Sequence, residues 1–175
     1  MDLKEYIRSI PDYPKKGILF RDITTLIKNE KAFTYCIDQI VKKSKQFQFN
    51  KIAAVESRGF VFASAVSYIL NKPFILLRKK NKLPAATHAV EFKLEYGTAT
   101  MEIHKDAINI GDNVLLIDDL IATGGTADAA AKLVEMSNGK VSGFIFVINL
   151  FDIGGVDKLI KKGYKVESLI EFPGH

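Results

Sequence analysis

Four short apolar runs constrain the fold of this 175-residue chain more than any other feature of its sequence. Their apolar character is continuous instead of alternating, which indicates strands buried on both faces, as in a parallel sheet covered by helices. The runs span residues 51–55, 73–77, 113–117 and 142–148, and residues 166–172 form a weaker fifth candidate.

Helical periodicity occupies much of the space between these runs. Apolar side chains recur at helical spacing over residues 33–41, 60–70 and 127–136, and Asn138-Gly139 then supplies a stop signal. Strands that alternate with helices predict an α/β fold with a central, mainly parallel sheet flanked by helices. The length fits a single domain over residues 1–175.

Two regions do not fit this alternation. Residues 1–30 form a loop-rich stretch with Pro11, Pro14 and Gly17, and residues 81–97 show little periodicity. Long irregular connections inside a compact domain are often lids or binding loops. We therefore expect residues 81–97 to serve binding or catalysis.

The composition excludes several classes of site and protein. Cys36 is the only cysteine, so neither an intramolecular disulfide nor a Cys-based zinc site can form, and its apolar neighbours predict a buried structural thiol. No signal peptide and no apolar stretch of about 18 residues is present, so we expect a soluble, cytoplasmic protein without a membrane partner. The net charge of +5 favours anionic partners without separating nucleotides from nucleic acid.

The segment 114–126, VLLIDDLIATGGT, is the most informative part of the chain. It combines a hydrophobic strand, two carboxylates and a small-residue loop that opens a helix. Ligands of open parallel sheets bind beyond the carboxyl ends of the strands. Gly124 and Gly125 allow close backbone approach to an anion, and Thr123 and Thr126 add hydroxyl donors. The loop therefore predicts a phosphate site.

The acidic pair Asp118 and Asp119 suits ribose hydroxyls or a hydrated magnesium ion, which prefers oxygen ligands. The alternative is an ordinary strand–loop–helix with a capping threonine and two solvated aspartates, and the extended motif disfavours it. This segment matches neither the P-loop nor the Gly-x-Gly-x-x-Gly pattern.

In this segment the sequence resembles the type I phosphoribosyltransferase family, and its adenine-specific branch in particular. The resemblance implies a small N-terminal hood over about residues 1–30 and a flexible catalytic loop over about 81–97. It also implies transfer of the 5-phosphoribosyl group of PRPP to adenine, giving AMP and pyrophosphate, with Mg²⁺ as cofactor. Asp118 and Asp119 would address the ribose and lie near a Mg²⁺ held mainly by PRPP, pyrophosphate and water. The implied 5-phosphate residues are Ala122, Thr123, Gly124, Gly125 and Thr126.

Two further segments are similar to the pyrophosphate-binding parts of the family. One is the turn after the first predicted strand, and the other is the basic cluster after the second. Taken singly, the turn is a weak signal and the cluster most often a solvated sheet end. The resemblance implies that some of these cations reach across a homodimer interface. The residues are Ser57, Arg58, Gly59, Arg78, Lys79 and Lys82.

Residues 94–97, Leu-Glu-Tyr-Gly, are similar to the family's catalytic loop. Forming the bond to adenine requires a proton to leave the base while C1′ gains oxocarbenium character. A carboxylate on a closing lid can accept that proton and closure excludes water, so Glu95 is the candidate general base. Arg58 is assigned to catalysis as well, and Glu91 and His88 are the fallback candidates.

The N-terminal region contains a segment similar to the part of the family that covers the base. The resemblance implies that Phe20 stacks on adenine while backbone groups of Leu19 and Arg21 contact its edge. A site complementary to the 6-amino group rejects oxopurines, because they leave buried polar groups unpaired. Phe92 departs from the family, whose members often carry tyrosine there, and this removes any phenol contact.

Two other functions compete with this hypothesis. A phosphoribosyltransferase for hypoxanthine, xanthine or orotate would share the phosphate loop but differ in its base pocket. A PRPP-sensing regulator that binds DNA would need a separate reading element, and the 16 residues before Gly17 are too few for a winged helix. We therefore expect no nucleic-acid partner.

Overall fold

A seven-stranded sheet forms the centre of the molecule, seen in a computed structural model that describes residues 1–94 and 97–175. A separate two-stranded hairpin precedes it. The strands are β1 (Arg8–Pro11), β2 (Leu19–Asp22), β3 (Lys51–Val55), β4 (Phe74–Lys79), β5 (Thr87–Lys93), β6 (Thr98–His104), β7 (Asn113–Ile121), β8 (Lys140–Leu150) and β9 (Val166–Phe172).

The order across the large sheet is β5-β6-β4-β3-β7-β8-β9. Strands β4, β3, β7, β8 and β9 are mutually parallel, whereas β6 pairs antiparallel with β4 and with β5. The sequence-based prediction of a mainly parallel sheet is therefore confirmed.

Two of the helix ends carry caps that the sequence supplies. Asn29 accepts a hydrogen bond from the Ala32 amide at 2.9 Å, which starts the second helix, and Asn71 ends the third in the left-handed conformation. No helix in the described part of the chain is long and apolar enough to cross a membrane. The helices are α1 (Thr24–Ile27), α2 (Glu30–Ser44), α3 (Arg58–Leu70), α4 (Gly125–Met136) and α5 (Gly155–Lys161).

The sheet has a hydrophobic core on each face, as continuous apolar strands require. Ile52 and Ala54 of β3 point to the core shared with α2 and α3, whereas Ala53 points to the core shared with α4. Cys36 lies fully buried in the first core, and burial raises the pKa of its thiol to about 12. The prediction of a structural thiol is confirmed.

The chain changes direction across the sheet between β3 and β7. From β3 it passes through α3 to β4 on one side, and from β7 it passes through α4 to β8 on the other. Ligands of such folds bind in the crevice at this reversal, beyond the carboxyl ends of the strands. The topology therefore places the candidate site between β3 and β7.

The N-terminal region contains more regular structure than predicted. Its centre is the antiparallel hairpin β1–β2, in which Arg8 lies opposite Asp22 and the two side chains form an ion pair at 2.5 Å. Strands of four residues are too short to show a periodicity in the sequence. From here on, the hood means this hairpin with its connecting turn, residues 8–22, a shorter segment than the 1–30 that the resemblance implies.

The prediction of an irregular connection over residues 81–97 is wrong for residues 87–93, which form β5. This strand pairs with β6 along its length, from Thr87 opposite His104 to Lys93 opposite Thr98. As a sheet-edge strand it buries little: Val90 and Phe92 are only partly buried against the α4 core. Backbone pairing stabilises β5, and its sequence has too few buried apolar positions to predict a strand.

Candidate active site

A cavity of about 260 Å³ opens at the carboxyl ends of β3 and β7, where the topology predicts a ligand. Its lining combines the end of β3, the second half of β7 and the loop into α4. The lining residues are Val55, Glu56, Arg58, Asp118, Asp119, Leu120, Ile121, Ala122, Thr123, Gly124, Gly125, Thr126, Ala127 and Phe146. The cavity thus brings together the predicted phosphate loop, the acidic pair and one predicted pyrophosphate residue.

The predicted phosphate loop, residues 122–126, is held from behind by the turn that precedes α5. The amide of Gly155 donates to the carbonyl of Ala122 at 3.0 Å. Gly124 adopts φ 81°, and a Cβ there would lie 3.2 Å from the Gly155 carbonyl oxygen. Both positive φ and close approach therefore require glycine at 124. The loop opens α4, so amides at the helix start can meet an anion.

The acidic pair lies within β7 itself, not after the strand end. Asp118 is opposite Phe146 of β8, and the amide of Asp119 donates to Asp118 Oδ1 at 2.9 Å. Burial raises the pKa of Asp118 well above its ordinary value, and the carboxylate of Asp119 raises it further. Two neighbouring carboxyl groups repel each other when both are ionised. A cation or a hydrogen-bond donor that binds at this floor of the cavity would relieve the repulsion.

Arg58 supplies the positive charge next to this pair. Its Nε lies 2.8 Å from Oδ2 of Asp119, whose side chain is only 6% exposed. The guanidinium lowers the pKa of Asp119 against the larger, opposing effect of burial. About half of the Arg58 side chain remains exposed to the cavity, so it can still meet an anionic ligand.

Gly59 allows α3 to approach the acidic pair. A Cβ at this position would lie 2.7 Å from Oδ1 of Asp118, closer than real Cβ contacts allow. Ser57 stands at the N-cap of α3 without a side-chain capping bond in that position. The close approach of α3 to Asp118 therefore requires glycine at position 59, whether or not a ligand is bound.

The basic cluster of Arg78, Lys79 and Lys82 lies beside the cavity, one strand away, and does not line it. The Lys79 amide donates to Oε1 of Glu56 at 2.6 Å, and Arg78 Nη2 donates to Oε2 at 3.4 Å. These two contacts hold the pKa of Glu56 below its ordinary value against the opposing effect of burial. Glu56 thus links the basic cluster to the cavity wall.

The hood reaches the cavity through Phe20. Its ring centroid lies 5.6 Å from Cζ of Arg58, and the ring of Tyr13 contacts it edge-on at 5.2 Å. Leu19 is half-buried in the same strand, whereas the Arg21 side chain is buried and points elsewhere. Phe20 is the predicted adenine residue whose side chain the structure brings to the edge of the site.

Glu95, the predicted general base, lies outside the described residues. The two fallback candidates are both on β5. His88 is half-buried opposite Ile103, and Glu91 lines a second pocket of about 340 Å³ with Lys93, Asp128 and Lys132. The two pockets share Gly125, but Glu91 does not line the cavity that contains the acidic pair.

Comparisons with known proteins agree with this geometry. The phosphoribosyl transferase domain matches residues 23–172. A curated adenine phosphoribosyltransferase of Pelagibacter ubique is 73% identical over 175 residues, the whole of both chains.

The chain belongs to the adenine phosphoribosyltransferase family.

Solved members of the adenine phosphoribosyltransferase family share its fold closely. The enzyme from Thermoanaerobacter pseudethanolicus is 49% identical with a TM-score of 0.93, covering 97% of this chain and 98% of that one. The Saccharomyces cerevisiae enzyme, solved with adenine and an iminoaltritol bisphosphate, is 34% identical with a TM-score of 0.88 and 96% coverage of both chains.

Two residues that shape the site of this adenine phosphoribosyltransferase family member are not predicted by the sequence. Glu56 belongs to the turn after the first predicted strand, but nothing in the sequence shows that it pairs with Arg78 from the next strand. Gly155 follows the fourth predicted strand. Its Gly-Gly dipeptide is a turn signal, but contact with the phosphate loop depends on the alignment of β7 with β8.

Proposed function

We propose that the cavity between β3 and β7 is where this chain transfers the 5-phosphoribosyl group of PRPP to adenine, giving AMP and pyrophosphate. The observation that carries the proposal is one cavity lined by an acidic pair, an arginine and a glycine-rich helix start. This arrangement occurs in a chain that is 73% identical to a curated adenine phosphoribosyltransferase.

The 5-phosphate binds in the loop of residues 122–126. The amides at the start of α4 and the hydroxyls of Thr123 and Thr126 offer hydrogen-bond donors without a cationic side chain. The Gly155 contact fixes the loop before the ligand arrives. A preformed anion site lets the sugar enter with little reorganisation.

The ribose hydroxyls bind at Asp118 and Asp119, whose carboxylate oxygens would also suit a nearby Mg²⁺. Within residues 1–94 and 97–175, no group of three or more His, Cys, Asp or Glu side chains could hold a metal. PRPP, pyrophosphate and water would therefore supply most of the ligands of a bound Mg²⁺. When bound, Mg²⁺ would neutralise negative charge on the pyrophosphate group.

The pyrophosphate binds at Ser57, Arg58 and Gly59, with the basic cluster of Arg78, Lys79 and Lys82 beside them. As the C1′–O bond breaks, its electron pair leaves with the pyrophosphate oxygen, and positive charge nearby stabilises that developing charge. The position of Arg58 next to Asp119, with about half of its side chain exposed, supports this assignment.

Adenine binds under the hood, with Phe20 on its face and backbone groups of Leu19 and Arg21 at its edge. The base nitrogen forms the new bond to C1′ and loses its proton. We assign acceptance or relay of that proton to Glu95, which lies in the sequence between β5 and β6. A base stacked on the ring of Phe20, at the edge of the cavity, would be shielded from competing water.

A second copy of the chain is proposed to cover α3 and β4, giving a homodimer. Tyr68 and Ile69 of α3 and Leu76 of β4 are 89%, 51% and 41% exposed. Leu76 shares its face of β4 with Phe74, whose ring contacts Phe60 of α3, so these apolar side chains lie on one side of the sheet. Light scattering should give a dimer that Leu76→Glu dissociates, whereas Ile110→Glu, in the loop before β7, leaves it intact.

A purine panel tests the proposed activity. Purified chain with PRPP and Mg²⁺ is offered adenine, hypoxanthine, xanthine or orotate, and released pyrophosphate is measured. We expect release with adenine only, and its loss when Mg²⁺ is chelated. Pyrophosphate released with another base but not with adenine would overturn the substrate assignment.

The cytoplasmic location stays a prediction.

A further inference from the structure

Arg21 has a buried side chain that the proposed function does not use. The residue is only 8% exposed, although it lies on the small hood hairpin. Its Nη1 donates to Oγ of Ser9 at 2.5 Å, and its Nη2 donates to the carbonyl of Pro173 at 3.0 Å. Its guanidinium also lies 4.5 Å from the ring centroid of Phe172. A buried arginine held on three sides is a fixed attachment, not a solvated surface group.

The two faces of β2 have different neighbours. Successive side chains of a strand point to opposite faces, so Arg21 and Phe20 diverge. Phe20 lies next to Arg58 at the cavity, whereas Arg21 lies on the C-terminal segment. Whatever fixes Arg21 therefore also sets the position of Phe20.

The C-terminal segment that receives Arg21 is itself attached to the body of the protein. Phe172 ends β9, and its carbonyl accepts a hydrogen bond from the Phe151 amide at 3.1 Å. The amide of Gly174 donates to Oδ1 of Asp152 at 2.6 Å. A Cβ at Gly174 would collide with the side chain of Ile153, so the segment lies tightly against the turn after β8.

We propose that Arg21 is the positioning residue that holds the hood over the adenine site, by attaching β2 to the C-terminal residues Phe172 and Pro173. The inference rests on the proposed placement of adenine under the hood. Arg21 acts through Phe20 and the backbone of β2, and its side chain does not touch the base. The phosphate loop and acidic pair belong to α4 and β7 and are independent of this attachment.

The test separates the Michaelis constants of the two substrates. Arg21→Met keeps an unbranched side chain but loses the charge and the fork of donors. We expect the KM for adenine to rise roughly tenfold or more, in keeping with the loss of charged hydrogen bonds, while the KM for PRPP changes less than about twofold. Arg21→Lys keeps a positive charge next to the Phe172 ring but loses the forked pair of hydrogen-bond donors, and it should give an intermediate KM for adenine.

Lys4→Met is the matched control, because Lys4 is also a cation near this ring, with Nζ 5.6 Å from the Phe172 centroid. We expect it to leave both KM values unchanged. Removing residues 172–175 should raise the KM for adenine as Arg21→Met does, and should add little in the double variant, because both changes break one attachment.

The outcomes are distinct. If the unaltered chain releases no pyrophosphate with adenine, the proposed function fails and this inference falls with it. If that chain is active but Arg21→Met and Arg21→Lys keep its KM for adenine, only the inference is overturned. A fall in melting temperature with equal changes in both KM values would likewise reduce Arg21 to a structural role and contradict the proposal.

Discussion

Nε of Arg58 lies 2.8 Å from Oδ2 of Asp119, so the first residue of α3 is fixed to the acidic pair in β7. This ion pair connects the two halves of the sheet at the point where the strand order reverses. It leaves half of the arginine side chain open to the cavity.

Arg58→Ala should impair PRPP use more than it destabilises the fold. The buried carboxylate of Asp119 would lose its counter-ion, while the pyrophosphate would lose a cation. We expect kcat/KM for PRPP to fall by about 100-fold or more, measured by steady-state pyrophosphate release. Arg8→Ala removes the cation of another ion pair and should leave this value within about threefold. Equal losses in the two variants would contradict the proposed role of Arg58.

Asp118→Asn should stabilise the ligand-free chain at high pH. Burial raises the pKa of Asp118, so the folded state holds its proton over a pH range in which the unfolded state has lost it. The stability of the unaltered protein therefore falls as pH rises above the unfolded pKa of about 3.9, until the raised pKa is passed.

Denaturant unfolding at several pH values measures this effect. We expect the variant to have a larger free energy of unfolding than the unaltered chain at pH 8, and to match it at pH 4. A constant difference at every pH would show that the carboxyl group does not titrate as the structure indicates. PRPP binding should be weakened in the same variant.

Gly155→Ala should weaken PRPP binding although residue 155 is not assigned a ligand contact. A Cβ there would collide with the carbonyl of Ala122 and displace the phosphate loop. Gly154→Ala is the matched control, since Gly154 has φ 90° with nothing within 4 Å of a Cβ. The control should lose only about 1–2 kcal/mol of stability from backbone strain.

Calorimetric titration with PRPP and Mg²⁺ compares the two glycine variants. We expect Kd to rise at least about tenfold for Gly155→Ala and to change little for Gly154→Ala. If both bind PRPP as the unaltered chain does, the contact behind the loop does not matter for the phosphate site.

Glu95→Gln should lower the rate of the chemical step by roughly 100-fold while leaving PRPP affinity unchanged, because a general base acts on the proton and not on the sugar. Single-turnover formation of AMP measures this step. Glu91→Gln is the comparison, and its side chain lines a different pocket from the acidic pair. Normal turnover in Glu95→Gln with loss in Glu91→Gln would move the proton role to Glu91.

Cys36 should not react with thiol reagents in the folded protein. Burial raises the pKa of its thiol to about 12, so almost no thiolate is present at pH 8. A chromogenic disulfide reagent should detect one thiol per chain after denaturation and a negligible amount before it. Rapid labelling of the native protein would mean that the α2 core opens far more readily than its packing indicates.

The sequence predicted β3, β4, β7, β8, β9 and the three long helices because each carries a continuous or periodic apolar pattern. It missed β1 and β2 because they are short and β5 because it lies at the sheet edge. It also missed the internal strand β6, in which polar residues interrupt the apolar positions although Met101 and Ile103 are buried. Their side chains carry little of the pattern on which such predictions depend.

The candidate site was predicted unevenly for a related reason. Residues 118–126 are contiguous, so one segment of sequence contains most of the cavity lining. Glu56 with Arg78, and Ala122 with Gly155, meet only because neighbouring strands bring them together. Contacts across strands leave no trace in a single sequence, and the buried side chain of Arg21 escaped prediction for the same reason.

The acidic pair is part of β7, which pairs with β3 over residues 114–116 and with β8 at Asp118 itself. Because β7 lies inside the sheet, we expect the proposed sugar-binding floor to keep its backbone position when a product departs. The hood, by contrast, is a two-stranded hairpin outside the large sheet. An inhibitor that imitates the ribose phosphate would bind to a rigid part of the site. Selectivity among related enzymes is better sought in inhibitor groups that contact the hood.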